Sequence, residues 1–255
     1  MSRKLKCTFC GLVLLLLGSL GLNVLLYREA LEQYRAVQLA HLDPTCEAEF
    51  APGKADPAAL EPGQVRIVFA GDSSIARWEE LPKLPGCQMV NRGCGGETTA
   101  QLRLRLERDV FRLQPAVVVL EVGGNDLKAI GVLPEQERGI IDTCQRNREL
   151  IVKELRQRGI PVVLSTIFPV GKVPLSRRPV WSDRSLAAWD EVNQATHALD
   201  VPGVTIFDSY KILAKDGRTN PDYEQDMLHI TSKGYEVLNE AIRPVLEKVL
   251  KERRQ

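Results

Sequence analysis

From Val65 onward, short and mostly apolar runs alternate with longer stretches whose apolar positions recur every three or four residues. The runs Val65–Ala70, Gln88–Asn91, Ala116–Val122, Pro161–Thr166 and Val204–Phe207 are too short for helices and are mostly continuous, the pattern of strands covered on both faces. Between them, "TTAQLRLRLERDVFRLQ" and "PEQERGIIDTCQRNRELIVKELRQRG" are amphipathic at the helical period, and the second closes on Gly159, a suitable residue just past a helix end. A last helix is expected over about Ser232 to Lys251. The alternation predicts an α/β domain over 65–255: three α/β/α layers around a five-stranded parallel, flavodoxin-like sheet. In such folds sites collect at the carboxyl ends of the strands.

The N-terminus follows another pattern. Phe9 to Tyr27 carries no charge and no polar face, and as a helix rising about 1.5 Å per residue it is long enough to cross a bilayer. Arg3, Lys4 and Lys6 precede it, which puts the N-terminus in the cytoplasm and the remainder outside it, in the periplasm if the cell is bacterial. "NVLLYREALEQY" offers no convincing cleavage site, so an uncleaved single-pass anchor is favoured over secretion after signal removal. The expected organisation is a cytoplasmic terminus and anchor over 1–27, a juxtamembrane helix and Pro/Ala/Gly-rich linker over 28–64, and the domain beyond. Cys46, Cys87, Cys94 and Cys144 would then lie in an oxidising compartment, where three complete pairings are open to them. Cys7 and Cys10 form C-x-x-C without a second pair, a poor zinc site.

Charge narrows the partners. With 34 basic against 33 acidic residues the net charge is +1, so no field favours nucleic acid. No ligand cluster or phosphate-binding loop is present, and neither a metal nor an organic cofactor is expected. A small-molecule substrate and a membrane are the partners left.

Chemistry-bearing blocks sit where the strands end. "GDSS" follows the first strand, "NRGCGGETT" the second, "EVGGND" the third, and "DMLHITSKGY" precedes the last helix. Alone, each reads equally well as a turn, because Gly, Asp, Asn and Ser all favour turns. In this order and placement, the four together resemble the SGNH hydrolase superfamily, the GDSL-type esterases and lipases, over about Val65 to Val249. The resemblance implies Ser73 as nucleophile, His229 as base and Asp226 as its partner, with an oxyanion hole from the Ser73 N–H, the Gly96 N–H and the Asn125 side chain. The residue chemistry agrees. A serine at a strand-to-helix turn faces helix N–H groups but still needs a base, and a carboxylate three residues before an imidazole can fix its tautomer. Asp222, seven residues away from His229, is a less direct partner, and Ser74 is a competing nucleophile. His41 and His197 lie outside any motif. Ser74, Glu97 and Ile230 stand where leucine, aspartate and proline are frequent in the family, and this blurs the substrate.

After the fourth strand, "PVGKVPLSRRPVWSDRSLAAW" carries Lys172, Arg177, Arg178, Trp181, Arg184 and Trp189. Arg177, Arg178 and Trp181 are candidates to hold an anionic or sugar-bearing substrate; a solvated loop with Trp189 in the core accounts for the segment equally well. The expected activity is a serine esterase acting on an ester of a lipid or an acylated carbohydrate through an acyl-enzyme. The alternatives are an O-acyltransferase for a cell-envelope carbohydrate, and a membrane-anchored binding module without turnover.

Overall fold

The structure, a computed structural model, describes residues 3–50, 56–199 and 201–253. The chain forms two compact units, Met1–Glu47 and Ala48–Gln255. The first is a single helix, α1 (Arg3–Leu42), uninterrupted across the expected boundary at Tyr27. The leucines between Leu12 and Leu22 are exposed, Leu14 to Leu16 each by about 70%, and the segment Thr8–Leu42 is long and apolar enough to cross a membrane.

A one-turn helix, α2 (Glu47–Phe50), leads into the second unit. Phe50 is buried under the guanidinium groups of Arg92 and Arg105, at 5.0 and 5.5 Å from its ring centre. Farther along, the Ala58 carbonyl accepts hydrogen bonds from Arg66 and Gln88, and Asp56 pairs with Arg112 at 2.6 Å. Phe50, Asp56 and Ala58, in the segment read as a linker, therefore pack on the domain, and the second compact unit takes in the chain from Ala48.

The strands are β1 (Val65–Gly71), β2 (Cys87–Gly93), β3 (Val117–Glu121), β4 (Val162–Ser165) and β5 (Val204–Phe207). All pair in parallel, in the order β2-β1-β3-β4-β5. Successive strand side chains point to opposite faces, and here both faces are covered. Ile67, Phe69, Val117 and Val119 pack with Leu238, Ile242 and Leu246 of the C-terminal helix; Val68, Ala70, Val118 and Leu120 pack with Leu102, Leu106, Ile151 and Leu155. Full burial of each such side chain contributes roughly 1.5–3 kcal/mol, which is why these runs read as unbroken apolar segments.

The helices of the second unit continue as α3 (Ser73–Ala76), α4 (Thr99–Asp109), α5 (Gly124–Leu127), α6 (Glu137–Gln157), α7 (Asp183–His197), α8 (Ser209–Leu213) and α9 (Ser232–Arg253). A small antiparallel hairpin, β6 (Ala214–Lys215) and β7 (Arg218–Thr219), follows α8. Cys46 and Cys94 each take part in a disulfide, whereas Cys87 and Cys144 carry thiols, so the four do not pair off completely.

Candidate active site

β1 ends at Gly71, opposite Glu121 of β3. A Cβ on Gly71 would lie 1.8 Å from the Glu121 carbonyl oxygen, so only glycine lets the chain leave the sheet here. Asp72 caps α3 by accepting the Ser74 N–H at 2.9 Å, and Ser73 becomes the first residue of the helical turn. The Tyr235 hydroxyl, from the first turns of α9, donates to the Ser74 carbonyl at 2.8 Å. That bond ties the serine turn to the element that follows His229.

The loop before α9 closes on itself. Glu224 bridges to Ile230, and the His229 carbonyl accepts the N–H groups of Gln225 and Asp226 at 3.0 and 3.2 Å. Asp226 Oδ1 accepts the backbone N–H groups of Leu228 and His229 at 2.9 and 3.0 Å. With its carboxylate so fixed, Asp226 meets His229 Nδ1 at 2.8 Å, and His229 Nε2 lies 3.0 Å from Ser73 Oγ. Since Nδ1 faces a carboxylate, it carries the proton, and Nε2 is left to accept one from serine. The ring is 16% exposed and the Asp226 side chain 50%. Partial burial raises the Asp226 pKa, but the Leu228 N–H and the His229 ring and N–H outweigh it, and the net shift is downward. Asp222 takes no part in this chain of bonds: its N–H donates to Asn220.

The remaining two candidates come from the segments after β2 and β3, and of the two Asn125 is the one that lines the cleft. Gly96 has φ +79, a left-handed conformation that favours glycine, and among the described residues neither its N–H nor that of Ser73 donates to another group. Asn125 lies in α5 and is 9% exposed. Its Nδ2 donates to the Glu97 carbonyl at 3.0 Å, while Oδ1 accepts from Lys128 Nζ at 2.6 Å. An ammonium can only donate, so it dictates which end of the amide is oxygen and leaves one N–H of Nδ2 to spare. Asp126 accepts the N–H and hydroxyl of Thr99 at 2.9 and 2.6 Å, docking α5 onto the start of α4.

Beneath the cleft runs a charged layer. Arg105 is 1% exposed and holds Glu97 by two bonds of 2.5 Å, while also donating to the carbonyls of Arg92 and Gly71 at 2.9 and 3.2 Å. One guanidinium thus joins the ends of β1 and β2 to the Gly96 loop. Burial pushes the Glu97 carboxyl up to about 7, against the pull of Arg105. Glu121 is buried beside Asp72; desolvation, then the Asp72 charge, raises its pKa well above the usual range.

Of the residues singled out from sequence, Ser73, Asp226 and His229 form one hydrogen-bonded chain. Ser73 and Asn125 line the same small cleft, of about 20 Å³, with Phe168, Trp189 and Leu228. Arg178 and Trp181 line a separate cavity of about 850 Å³. Arg177 is an exposed loop residue, Arg184 pairs with Glu137 at 3.0 Å, and Trp189 is buried, donating to the Phe168 carbonyl. Lys128 was not singled out, although its position three residues after Asn125 on a helical turn is the signal that places the two together.

Residues 61–237 match the model of the GDSL-like Lipase/Acylhydrolase family. Similar solved structures include a GDSL-like lipase from Bacteroides thetaiotaomicron VPI-5482, 22% identical with a TM-score of 0.63 over 80% of this chain and 98% of that one. Another is a lipase/acylhydrolase from Enterococcus faecalis, 24% identical with a TM-score of 0.55 over 74% and 97%. A third is the acetyl xylan esterase AlAXEase, 20% identical with a TM-score of 0.54 over 71% and 100%. At these identities the likeness is one of fold. Among curated proteins, an uncharacterized lipoprotein of Bacillus subtilis (strain 168), YqeF, is 34% identical over 85 residues, 32% of this chain and 33% of that protein, so the chain matches only about a third of its length. With the family match spanning the whole sheet and all four blocks, the chain belongs to the GDSL-like lipase/acylhydrolase family and is an ester hydrolase.

Proposed function

We propose that the chain hydrolyses a short-acyl ester, an acetyl ester above all, through a covalent acyl-enzyme on Ser73. The observation that carries this reading is the unbroken chain Ser73 Oγ, His229 Nε2, His229 Nδ1, Asp226, at 3.0 and 2.8 Å. His229 takes the hydroxyl proton as Ser73 Oγ bonds to the carbonyl carbon. The oxygen of the tetrahedral intermediate is received by the Ser73 and Gly96 N–H groups and the spare N–H of Asn125. His229 then gives its proton to the departing alcohol as the ester C–O bond breaks, and a water, deprotonated by the same ring, releases the acid. Asp226, held ionised, keeps the ring's tautomer and stabilises the imidazolium.

The small volume of the cleft supports a short acyl group. The cleft of about 20 Å³ has space for little more than one water-sized group, given that a single water needs roughly 10–15 Å³ by this measure. A methyl group fits that space, and a long chain would have to extend beyond it. In the same reading α1 anchors the protein with its N-terminus in the cytoplasm and the domain outside, and the disulfide linkage at Cys46 and Cys94 supports an oxidising compartment.

The test uses the full-length chain in detergent with 4-nitrophenyl esters from acetate to decanoate. Acetate should be turned over best, and Ser73→Ala should lose on the order of 10⁶-fold in kcat. A Ser73→Ala rate equal to wild type would remove Ser73 from the role, and a preference for decanoate would remove the acetyl reading alone.

A further inference from the structure

Beside the catalytic loop lies the cavity of about 850 Å³, within the range of about 300–1,000 Å³ that small-molecule sites occupy. One wall is the β6–β7 hairpin with Lys215 and Arg218, another is Lys172 beyond β4, and a third is the turn before α7 with Arg178 and Trp181. Glu224 completes the lining, two residues before Asp226. The walls are fastened to the catalytic loop and to each other: the Gly171 N–H donates to the Met227 carbonyl at 2.8 Å, and the Thr219 N–H to the Val170 carbonyl at 3.1 Å. Trp181 packs against Trp189 with ring centres 6.0 Å apart and ring planes tilted by 47°. Trp189 lines the Ser73 cleft, so one aromatic pair separates the large cavity from the small one.

The lining is mainly charged, which suits a hydrated ligand and not an acyl chain. Four cations face three acids there; Asp216 stands in the β6–β7 turn next to Lys215, and the other two acids are engaged elsewhere. Glu224 accepts the Lys172 N–H at 3.1 Å, and Asp183 sits in the first turn of α7, where the helix N–H groups and dipole favour a negative charge. Among the described residues, the side chains of Lys172, Arg178 and Lys215 make no ion pair, and Arg218 donates only to the Gly171 carbonyl, at 3.4 Å. Lys128 and Arg177 add positive charge on the side toward the oxyanion hole; each is close enough that the Arg177 charge helps to lower the Lys128 pKa, after desolvation.

Resting on the esterase reading above, we propose that this cavity binds the anionic saccharide portion of the substrate, a sugar carrying carboxylate or phosphate, while its acetyl group enters the cleft at Ser73. The Lys and Arg side chains take the anionic group, Trp181 offers an aromatic face to the sugar ring, and the small cleft sees only the ester.

The test is binding to the full-length Ser73→Ala chain in detergent, by calorimetry, so that it does not depend on turnover. Tetragalacturonate and glucose 1-phosphate are the two anionic probes and xylotetraose the neutral one. At least one anionic probe should bind, about tenfold or more tighter than xylotetraose, as for one or two hydrogen bonds to charged groups, and its affinity should fall as salt is raised. Which anionic probe binds assigns carboxylate or phosphate. Adding Lys215→Glu and Arg218→Glu should weaken that binding by about tenfold or more at an unchanged melting temperature. The proposal is overturned if neither anion binds, if xylotetraose binds as well, or if the charge reversals leave affinity untouched. Each of those results leaves the role of Ser73 standing, because that rests on ester turnover by the chain that retains the serine.

Discussion

At the rim of the cleft, Ser73 at the start of α3 and His229 and Asp226 on a loop are partly open to solvent, with the Asp226 side chain half exposed. Just beneath them Asp72, Glu97, Arg105 and Glu121 are exposed by 3% or less. The two layers hold similar side chains under opposite conditions. Water and the substrate reach the rim, so its groups can change protonation during a reaction at modest cost. The lower groups are sealed, where every charge must be matched by a partner or removed by a proton. The division predicts that changes at the rim alter rate with the fold intact, and changes below alter stability and its pH dependence with the rate per folded molecule intact.

The largest effect tests the lower layer. Arg105→Leu leaves Glu97 buried without its cation, and breaking a buried pair from one side costs about 3–5 kcal/mol. Urea unfolding should show the loss, and show it growing with pH: burial raises the Glu97 pKa to about 7 even beside Arg105, so the folded state favours the protonated form and stability falls as pH rises through that value. Turnover of 4-nitrophenyl acetate per folded molecule should hold. A rate that falls further than the folded fraction would erase the distinction between the layers.

Asn125→Ala tests the rim. Removing one oxyanion donor typically costs about 10²–10³ in kcat, and KM should stay near its wild-type value because the ground-state ester does not need that donor. A KM effect with kcat preserved would move Asn125 from oxyanion donor to a ground-state contact.

The rim was legible and the lower layer was not, for a physical reason. Ser73, Gly96, Asn125, Asp226 and His229 each sit in a block of turn-forming residues after a strand or before the last helix, so position and residue type point the same way. The five strands were visible because short, mostly apolar runs alternating with helical stretches fit a parallel sheet covered on both faces. In "LRLRLERD" three arginines alternate with leucines, and nothing local separates Arg105, which shares the inward face with Leu102, Leu106 and Asp109, from the partly exposed Arg103 and Arg108. Glu121 looks like the polar end of β3; only the approach of Asp72 across the Gly71 turn makes it a buried acid. Four-residue helices such as α3 and α5 have no period to detect.

Lys128 lies between the layers: its ammonium contacts the rim through Asn125 Oδ1 at 2.6 Å, and desolvation, against the attraction of Asp72, lowers its pKa. In the proposed mechanism its cation polarises the amide that donates to the oxyanion. Lys128→Met, which keeps the stem and loses the charge, should reduce kcat by about tenfold, the scale of one hydrogen bond to a charged group, and Lys128→Arg should recover part of it. Equal loss in both variants would show that shape and not charge is what Asn125 needs.

Glu121→Gln should have the smallest effect on rate. Desolvation and then the Asp72 charge raise the Glu121 pKa well above the usual carboxylate range, with Arg148 opposing. Burial raises the Asp72 pKa too, opposed by the Ser74 N–H that it accepts at 2.9 Å, whereas Glu121 is raised well above its usual range, so of the two it is Glu121 that keeps the proton. A neutral amide then imitates the native group, and kcat should be close to wild type across the pH range. Stability should not be. A folded pKa above the unfolded value of 4.5 means that the folded chain retains a proton the unfolded chain gives up. That contribution is complete below 4.5 and is lost as pH rises toward the folded value, at no more than about 1.4 kcal/mol per pH unit. Glutamine has no proton to lose, so urea midpoints of variant and wild type should agree in acid and diverge with rising pH in favour of the variant. Parallel midpoints would mean that Glu121 is ionised in the fold, and a changed kcat profile would mean that the buried acid takes part in the chemistry above it.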